Sequence, residues 1–416
     1  MTALWSRDAD SAGSESRCGS LTRGFDSLWE ALVPVGLARS GGYRRFAWTA
    51  EDSLLREWFA GEAAARGLDL VTDRCGNQWA WWGDPDVDGP GVVLGSHLDS
   101  VPDGGAFDGP LGVVSAFAAL DELRARGVVP ARPIAVAHFA DEEGARFGVA
   151  CAGSRLLTGL LDPERARALT GPDGVSMAEA MTRAGHDPAW IGRDTETLRR
   201  IGTYVELHVE QGRGLVDLDR PVAVGSAIWP HGRWRITLPG RADHAGTTRL
   251  ADRDDPMLAL ADVVQRIRAA AERHDAVATC GKVTVEPNAV NAIPSQVTAW
   301  LDARGADEAR VTAVVSEVIA AAREHGGTVA KESWTRATTF DAALGARLAS
   351  LVGDAPVLPT GAGHDAGILA SVGIPAAMLY VRNPTGISHA PEEHAHPEDC
   401  HQGVEALTAV AEHLAR

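Results

Sequence analysis

Cysteine is scarce in this sequence, and its five copies are scattered. Cys18, Cys75, Cys151, Cys280 and Cys400 form no Cys-x-x-Cys pair. That argues against a zinc ribbon or a disulfide framework and fits a reducing compartment. Long apolar runs are missing too: no uninterrupted apolar span of roughly 20 residues occurs, so no transmembrane helix is expected. Positive charge is in deficit, with 39 Lys+Arg against 56 Asp+Glu and a formal net charge of −17. Nucleic acid and anionic membrane are therefore poor candidates for partners. The N-terminus mixes Arg7, Asp8, Asp10, Glu15 and Arg17 with serine and glycine and lacks the apolar stretch of a secretory signal. Residues 1–23 are accordingly expected to be a disordered tail, and the protein to be cytoplasmic.

What remains is ordinary globular composition, 45% hydrophobic and 23% charged, in 416 residues, long enough for two cores. The first part alternates strand and helix signals. Val92-Val-Leu reads as a short buried strand, residues 111–126 carry apolar positions at helical spacing, and residues 134–140 read as another apolar strand. Such alternation predicts an α/β domain with a mostly parallel sheet, with ligands beyond the carboxyl ends of its strands. From residue 219 the pattern changes. Alternating Trp234, Ile236 and Leu238 are followed by a helix over 257–273, strands over 282–286 and 295–303, a helix over 307–325 and a strand over 328–334. The order β-α-β-β-α-β predicts a ferredoxin-like α+β domain inserted over 219–333. The catalytic domain is then 24–218 with 334–416.

Several ligand-type residues fall where buried strands should end. They are His97, Asp108 in the turn Gly104-Gly-Ala-Phe-Asp-Gly109, the pair Glu142-Glu143, His208 and His389. Imidazole with carboxylate is a ligand set for zinc, and manganese, cobalt or nickel are compatible with it. Asp108, on a tight glycine turn, is placed to bridge two divalent ions. One ion would take His97, Asp108 and His208, and the other Asp108, Glu143 and His389. Neighbouring residues at a strand end point in opposite directions, so Glu143 is assigned as a ligand and Glu142 as the general base. Asp99, two residues after His97, is expected to accept a hydrogen bond from that imidazole and fix its tautomer. His394 and His396 read as part of a polar loop, and His138 as an interior residue.

These motifs resemble the M20 family of dinuclear metallohydrolases, and more narrowly its amidase branch of allantoate amidohydrolases, N-carbamoyl-L-amino acid amidohydrolases and β-ureidopropionases. The resemblance rests on Gly95-Ser-His-Leu-Asp-Ser, Asp141-Glu-Glu-Gly-Ala-Arg-Phe, Glu206-Leu-His-Val-Glu-Gln-Gly, His244-Ala-Gly-Thr-Thr, Val290-Asn-Ala-Ile-Pro, Gly363-His-Asp-Ala and Gly386-Ile-Ser-His. It covers nearly the whole chain from about residue 25. It implies a zinc-peptidase-like catalytic domain with an inserted lid and dimerisation domain. At position 208 the peptidase members place a carboxylate, whereas the ureido-cleaving members carry histidine followed by Glu-Gln-Gly. The reaction implied is cleavage of a carbamoyl C–N bond in a small ureido acid, allantoate or an N-carbamoyl-L-amino acid, with release of ammonia and CO2. An M20 aminoacylase or dipeptidase is the alternative. By the same resemblance Arg304 pairs with the substrate carboxylate, Asn291 shares that carboxylate or binds the ureido oxygen, and Gln211 binds the ureido group. His244 stabilises the oxyanion, and Gly363 and His364 line the pocket. The resemblance further implies a homodimer through the inserted domain and closure of that domain over substrate.

Overall fold

The computed structural model describes residues 18–416. Residues 1–17 of the expected tail lie outside the described residues. Residues 18–23 correct that reading, because Cys18–Leu32 is one helix. Phe25, Leu28, Trp29 and Leu32 of this helix are buried in the main core. Packing of that stripe outweighs the low helix propensity of the glycine and serine at its start.

The chain divides into two compact units: residues up to Ser226 with Phe340–Leu358 and Gly363–Arg416, and Ala227–Thr339 with Pro359–Ala362. The sequence placed the insertion at 219–333. Residues 219–226 instead stay with the first unit, because strand Val222–Ile228 pairs antiparallel with Ala376–Val381 through Val222, Ala223 and Val224, and residues 334–339 go with the second.

In the first unit four parallel strands form the centre of a sheet, in the order Ile134–Phe139, Gly91–His97, Ile201–Val209, Ala376–Val381. Asp69–Thr72 and Gln78–Trp82 add antiparallel strands beside Ile134–Phe139. All residues of Gly91–His97, Ile134–Phe139 and Ala376–Val381 are buried, which explains their unbroken apolar runs: a parallel strand covered on both faces has no solvent side to mark with polar residues. The helix Pro110–Ala125 is buried along most of its length for the same reason. Every central strand runs in the same direction, so the four carboxyl ends share one edge. The fold is mixed α/β with a largely parallel central sheet.

The second unit carries a four-stranded antiparallel sheet in the order Thr328–Thr335, His231–Pro239, Gln296–Gly305, Ala276–Glu286. With helices Pro256–Arg273 and Glu308–Glu324 this is the β-α-β-β-α-β arrangement. Trp234, Ile236 and Leu238 are buried with Val263, Ile267, Val314 and Val318 from the helices, while the alternating Arg233 and Arg235 are exposed. The period of two seen in the sequence is this one-sided burial. Among the described residues no helix is long and apolar enough to cross a membrane.

Candidate metal centre

The carboxyl edge of the parallel sheet gathers the ligand-type residues. His97 closes its strand and His208 is the penultimate residue of Ile201–Val209. Glu142 and Glu143 follow Ile134–Phe139, and His389 lies beyond Ala376–Val381. Asp108 precedes the helix Pro110–Ala125, whose N-terminal dipole favours a carboxylate there. Gly109 between them has φ 85, and a Cβ on it would overlap the His97 ring. No side-chain-bearing residue fits between Asp108 and this helix without moving that imidazole.

Two triads emerge among the described residues, His97–Asp108–His208 and Asp108–Glu143–His389, each with one ligand atom per residue within 4.8 Å of the others. Asp108 is common to both. Its Oδ1 stands 3.4 Å from His97 Nε2 and 3.0 Å from His208 Nε2, and its Oδ2 stands 3.4 Å from His389 Nε2. His389 Nε2 is also 3.6 Å from Glu143 Oε2. Glu142 has turned the other way, with Oε2 3.8 Å from His97 Nε2.

The hydrogen bonding inside the cluster shows what it lacks. His97 Nδ1 donates to the Asp99 carbonyl at 3.1 Å, and His208 Nδ1 to the Val209 carbonyl at 2.9 Å. A carbonyl only accepts, so each neutral ring turns a bare Nε2 lone pair toward Asp108. Both Nε2 atoms are buried and have no hydrogen-bond partner among the described residues. Lone pair facing carboxylate is repulsive unless a proton or a metal cation lies between them. Burial alone would lower the affinity of these rings for protons, yet Asp108 and the other carboxylates raise it for all three. For His389 the pKa is pushed up to about 9. Burial, opposed by the His97 imidazole, lifts the Glu142 carboxyl well above its usual range. Glu143 is pushed up to about 7 by burial and by the charge of Asp108. Orphaned nitrogens and crowded carboxylates fit a site for divalent cations with mixed N and O donors.

Asp99 acts differently from the sequence expectation. Its backbone oxygen, rather than its carboxylate, makes the close contact to His97, and the carboxylate lies 3.5 Å from the ring. Oδ1 and Oδ2 instead accept the amides of Glu142 and Glu143 at 3.1 and 3.0 Å. Asp99 therefore holds both the imidazole and the glutamate pair. Gln211 joins the cluster as well, with Nε2 donating to Asp108 Oδ2 at 2.9 Å. His364 lies edge-on against the His208 ring, 4.5 Å between centroids, and burial keeps it neutral. His138 is interior, with Nδ1 3.0 Å from Gln78 Oε1, and His394 packs edge-on against Phe107. Gly363 opens the segment that leads to His364.

His244, Asn291 and Arg304 belong to the second unit. His244 lies on a short ribbon that pairs it with Ala292, and the Ala245 amide donates to the Asn291 carbonyl. Both side chains are exposed. Arg304 is half-buried and partly engaged: Nε and Nη2 bond to the Asp302 carboxylate at 2.7 and 3.2 Å, and Nη1 bonds to the Gly361 carbonyl at 2.8 Å. Of its five N–H donors this leaves one on each of Nη1 and Nη2.

Sequence reasoning missed several buried groups here. Glu206 accepts from Ser96 and from the Ala366 amide, and Asp365 accepts from Ser154. Cys151, in the left-handed region at φ 55, sets its thiol 3.1 Å from Glu142 Oε1. Glu393 accepts the amides of Phe107 and Asp108. For Glu206 a signal existed, a lone acid inside an apolar strand; Asp365 opens the short helix Asp365–Ser371, and Cys151 in a turn and Glu393 in a loop have no periodicity to betray them.

The profile of Peptidase family M20/M25/M40 matches residues 93–413. The chain belongs to this family. An N-carbamoyl-L-amino acid amidohydrolase of Geobacillus stearothermophilus is 37% identical over 400 residues, 92% of this chain and 96% of its own. An allantoate amidohydrolase of Escherichia coli K12 is 31% identical, covering 92% and 96%. The crystal structure of a hydantoinase/carbamoylase family amidase from Burkholderia vietnamiensis superposes with a TM-score of 0.86 at 29% identity, covering 95% and 97%. This M20 member is a hydrolase of carbon–nitrogen bonds other than peptide bonds.

Proposed function

We propose that this M20 protein uses two divalent ions to cleave the ureido C–N bond of a small ureido acid, allantoate or an N-carbamoyl-L-amino acid. The observation that carries this reading is the pair of triads sharing Asp108, with Glu142 beside them and outside both. When bound, the ions supply a polarised substrate carbonyl and an acidified water. Zinc suits the donors, and manganese, cobalt or nickel are compatible with them. The remaining work falls to the chain. Glu142, made more basic by burial, takes the proton of the attacking water and returns it to the departing nitrogen. Asp99 fixes Glu142 through its amide. Gln211 keeps a buried Oε1 with no hydrogen-bond partner among the described residues, an acceptor for a ureido N–H. His244 is assigned to the developing oxyanion, Arg304 to the substrate carboxylate, Asn291 to that carboxylate or to the ureido oxygen, and Gly363 and His364 to the pocket wall.

Ammonia release from the metal-reconstituted enzyme tests the reading, with allantoate, several N-carbamoyl-L-amino acids and N-acetyl amino acids compared. Turnover of allantoate alone makes it an allantoate amidohydrolase, and preference for carbamoyl amino acids makes it a carbamoylase. Cleavage of only the acetyl compounds, followed by amine release, would replace both with the aminoacylase alternative. Arg304→Lys keeps the charge but removes the fork. Loss of one charge-assisted hydrogen bond, about 1.5–3 kcal/mol, corresponds to roughly 10–100-fold in KM with kcat changed less. An unchanged KM would take Arg304 out of substrate binding.

A second copy of the chain is the proposed partner, joined through the second unit, where the edge strand Ala276–Glu286 is largely exposed. Sedimentation at monomer mass would remove that partner.

A further inference from the structure

Glu393 belongs to none of the ligand motifs, yet its carboxylate reaches two of the loops that carry them. Oε1 accepts the backbone amides of Phe107 at 3.0 Å and Asp108 at 2.9 Å. Oε2 accepts the hydroxyl of Ser388, the neighbour of His389, at 3.2 Å. That hydroxyl stands 3.4 Å from Asp108 Oδ2 and accepts from Gln211 Nε2 at 3.0 Å. Glu393 is 4% exposed, and the backbone is shaped to admit it: a Cβ on Gly105 would overlap its carboxylate. With both oxygens committed, and with no place in either triad, Glu393 is not a ligand. The loops it joins need holding. His389 has φ 60, a left-handed conformation that costs a non-glycine residue about 1–3 kcal/mol and persists only where its surroundings impose it.

We propose that Glu393 is a positioning residue that clamps the Asp108 loop to the Ser388-His389 loop and thereby sets the affinity of the centre for its ions. The clamp rests on the metal-site reading above. Two amides and one hydroxyl fix the carboxylate from two sides, so Asp108 and His389 are held in register before any ion arrives. Without it, each ion must also order a loop as it binds.

The test is calorimetric titration of zinc into the metal-stripped full-length protein, comparing wild type with Glu393→Ala, Glu393→Gln and Ser388→Ala. Loss of such a supporting contact lowers metal affinity about 10–100-fold, and that loss is expected for Glu393→Ala. Glutamine keeps an acceptor for the amides and gains a donor for Ser388, so Glu393→Gln should recover most of the affinity. Ser388→Ala severs one arm and should fall between. Wild type that binds no zinc would remove the metal site itself. Wild type that binds zinc, with Glu393→Ala binding equally well, would overturn the clamp alone. Glu393→Gln as weak as Glu393→Ala would also overturn it, because charge rather than geometry would then be responsible. If Glu393→Ala fails to fold, the other two variants decide: wild-type affinity in both rejects the clamp.

Discussion

Glu142→Gln is expected to bind metal as the wild type does and to lose turnover by about 10²–10⁴-fold, the range for removal of a general acid–base group. Glutamine preserves the shape of the side chain, so the amide of residue 142 still reaches Asp99 and the loop should not move. What disappears is the ability to accept a proton. The loss should be large because the site is tuned for that step: burial is the largest influence on Glu142, and it raises the carboxyl well above its usual range. The nearby charges of Asp365, Glu143 and Asp99 push in the same direction, and only His97 opposes them. A desolvated carboxylate among other carboxylates is a stronger base than one in water. The check is kcat with metal content measured on the same preparation. Full metal content with full activity would move the proton transfer to another residue. Loss of metal in the variant would instead place Glu142 among the ligands.

The centre was legible in the sequence to the extent that its residues sit at the ends of runs with a clear period. His97, the glutamate pair and His208 lie at or just beyond the ends of largely apolar strands, and a parallel sheet forces such strand ends to one edge. The division of labour between Glu142 and Glu143 followed from the alternation of neighbouring side chains, and the two carboxylates do face different imidazoles. Glu393 had no such signal. It is one acid in the loop Pro391-Glu-Glu-His-Ala-His-Pro, and its partners Phe107 and Asp108 are 286 and 285 positions away. Nothing local distinguishes it from solvated Glu392. Asp99 was found but given the wrong atom, because a tautomer-fixing acceptor is as easily a backbone carbonyl as a carboxylate. The first helix was mistaken at its start since local propensity is weak there and the deciding contacts, of Phe25 and Trp29 with the core, are long-range. In the second unit Asp302 and Arg304 hold alternate positions of one strand, and the two side chains pair with each other. A strand pattern says which side chains share a face, and ion pairing between them is invisible to it.

Asp108→Asn should abolish detectable turnover and remove the stabilisation that zinc gives the wild type. Asp108 alone contributes to both triads. An amide offers one oxygen, so an asparagine that faces one ion with its carbonyl turns an NH2 group toward the other. Two ions cannot both be satisfied by it. Asp108 also balances the cluster electrically. Burial works against its charge, yet His208, His389 and His97 together hold its carboxyl well below the usual range. It thus stays ionised more readily than Glu142 and Glu143 beside it, which suits it to anchor a cation. An ion at a hundred times its Kd stabilises the folded state by about 2.7 kcal/mol, which for a unit of this size raises the melting temperature by roughly 3–5 °C per ion. Melting curves with zinc and with chelator separate the effects. With chelator the two proteins should melt together, and with zinc only the wild type should gain the full increment. A variant that melts earlier even with chelator would show a damaged fold rather than a lost ligand, and one that gains as much from zinc as the wild type would mean that Asp108 bridges nothing.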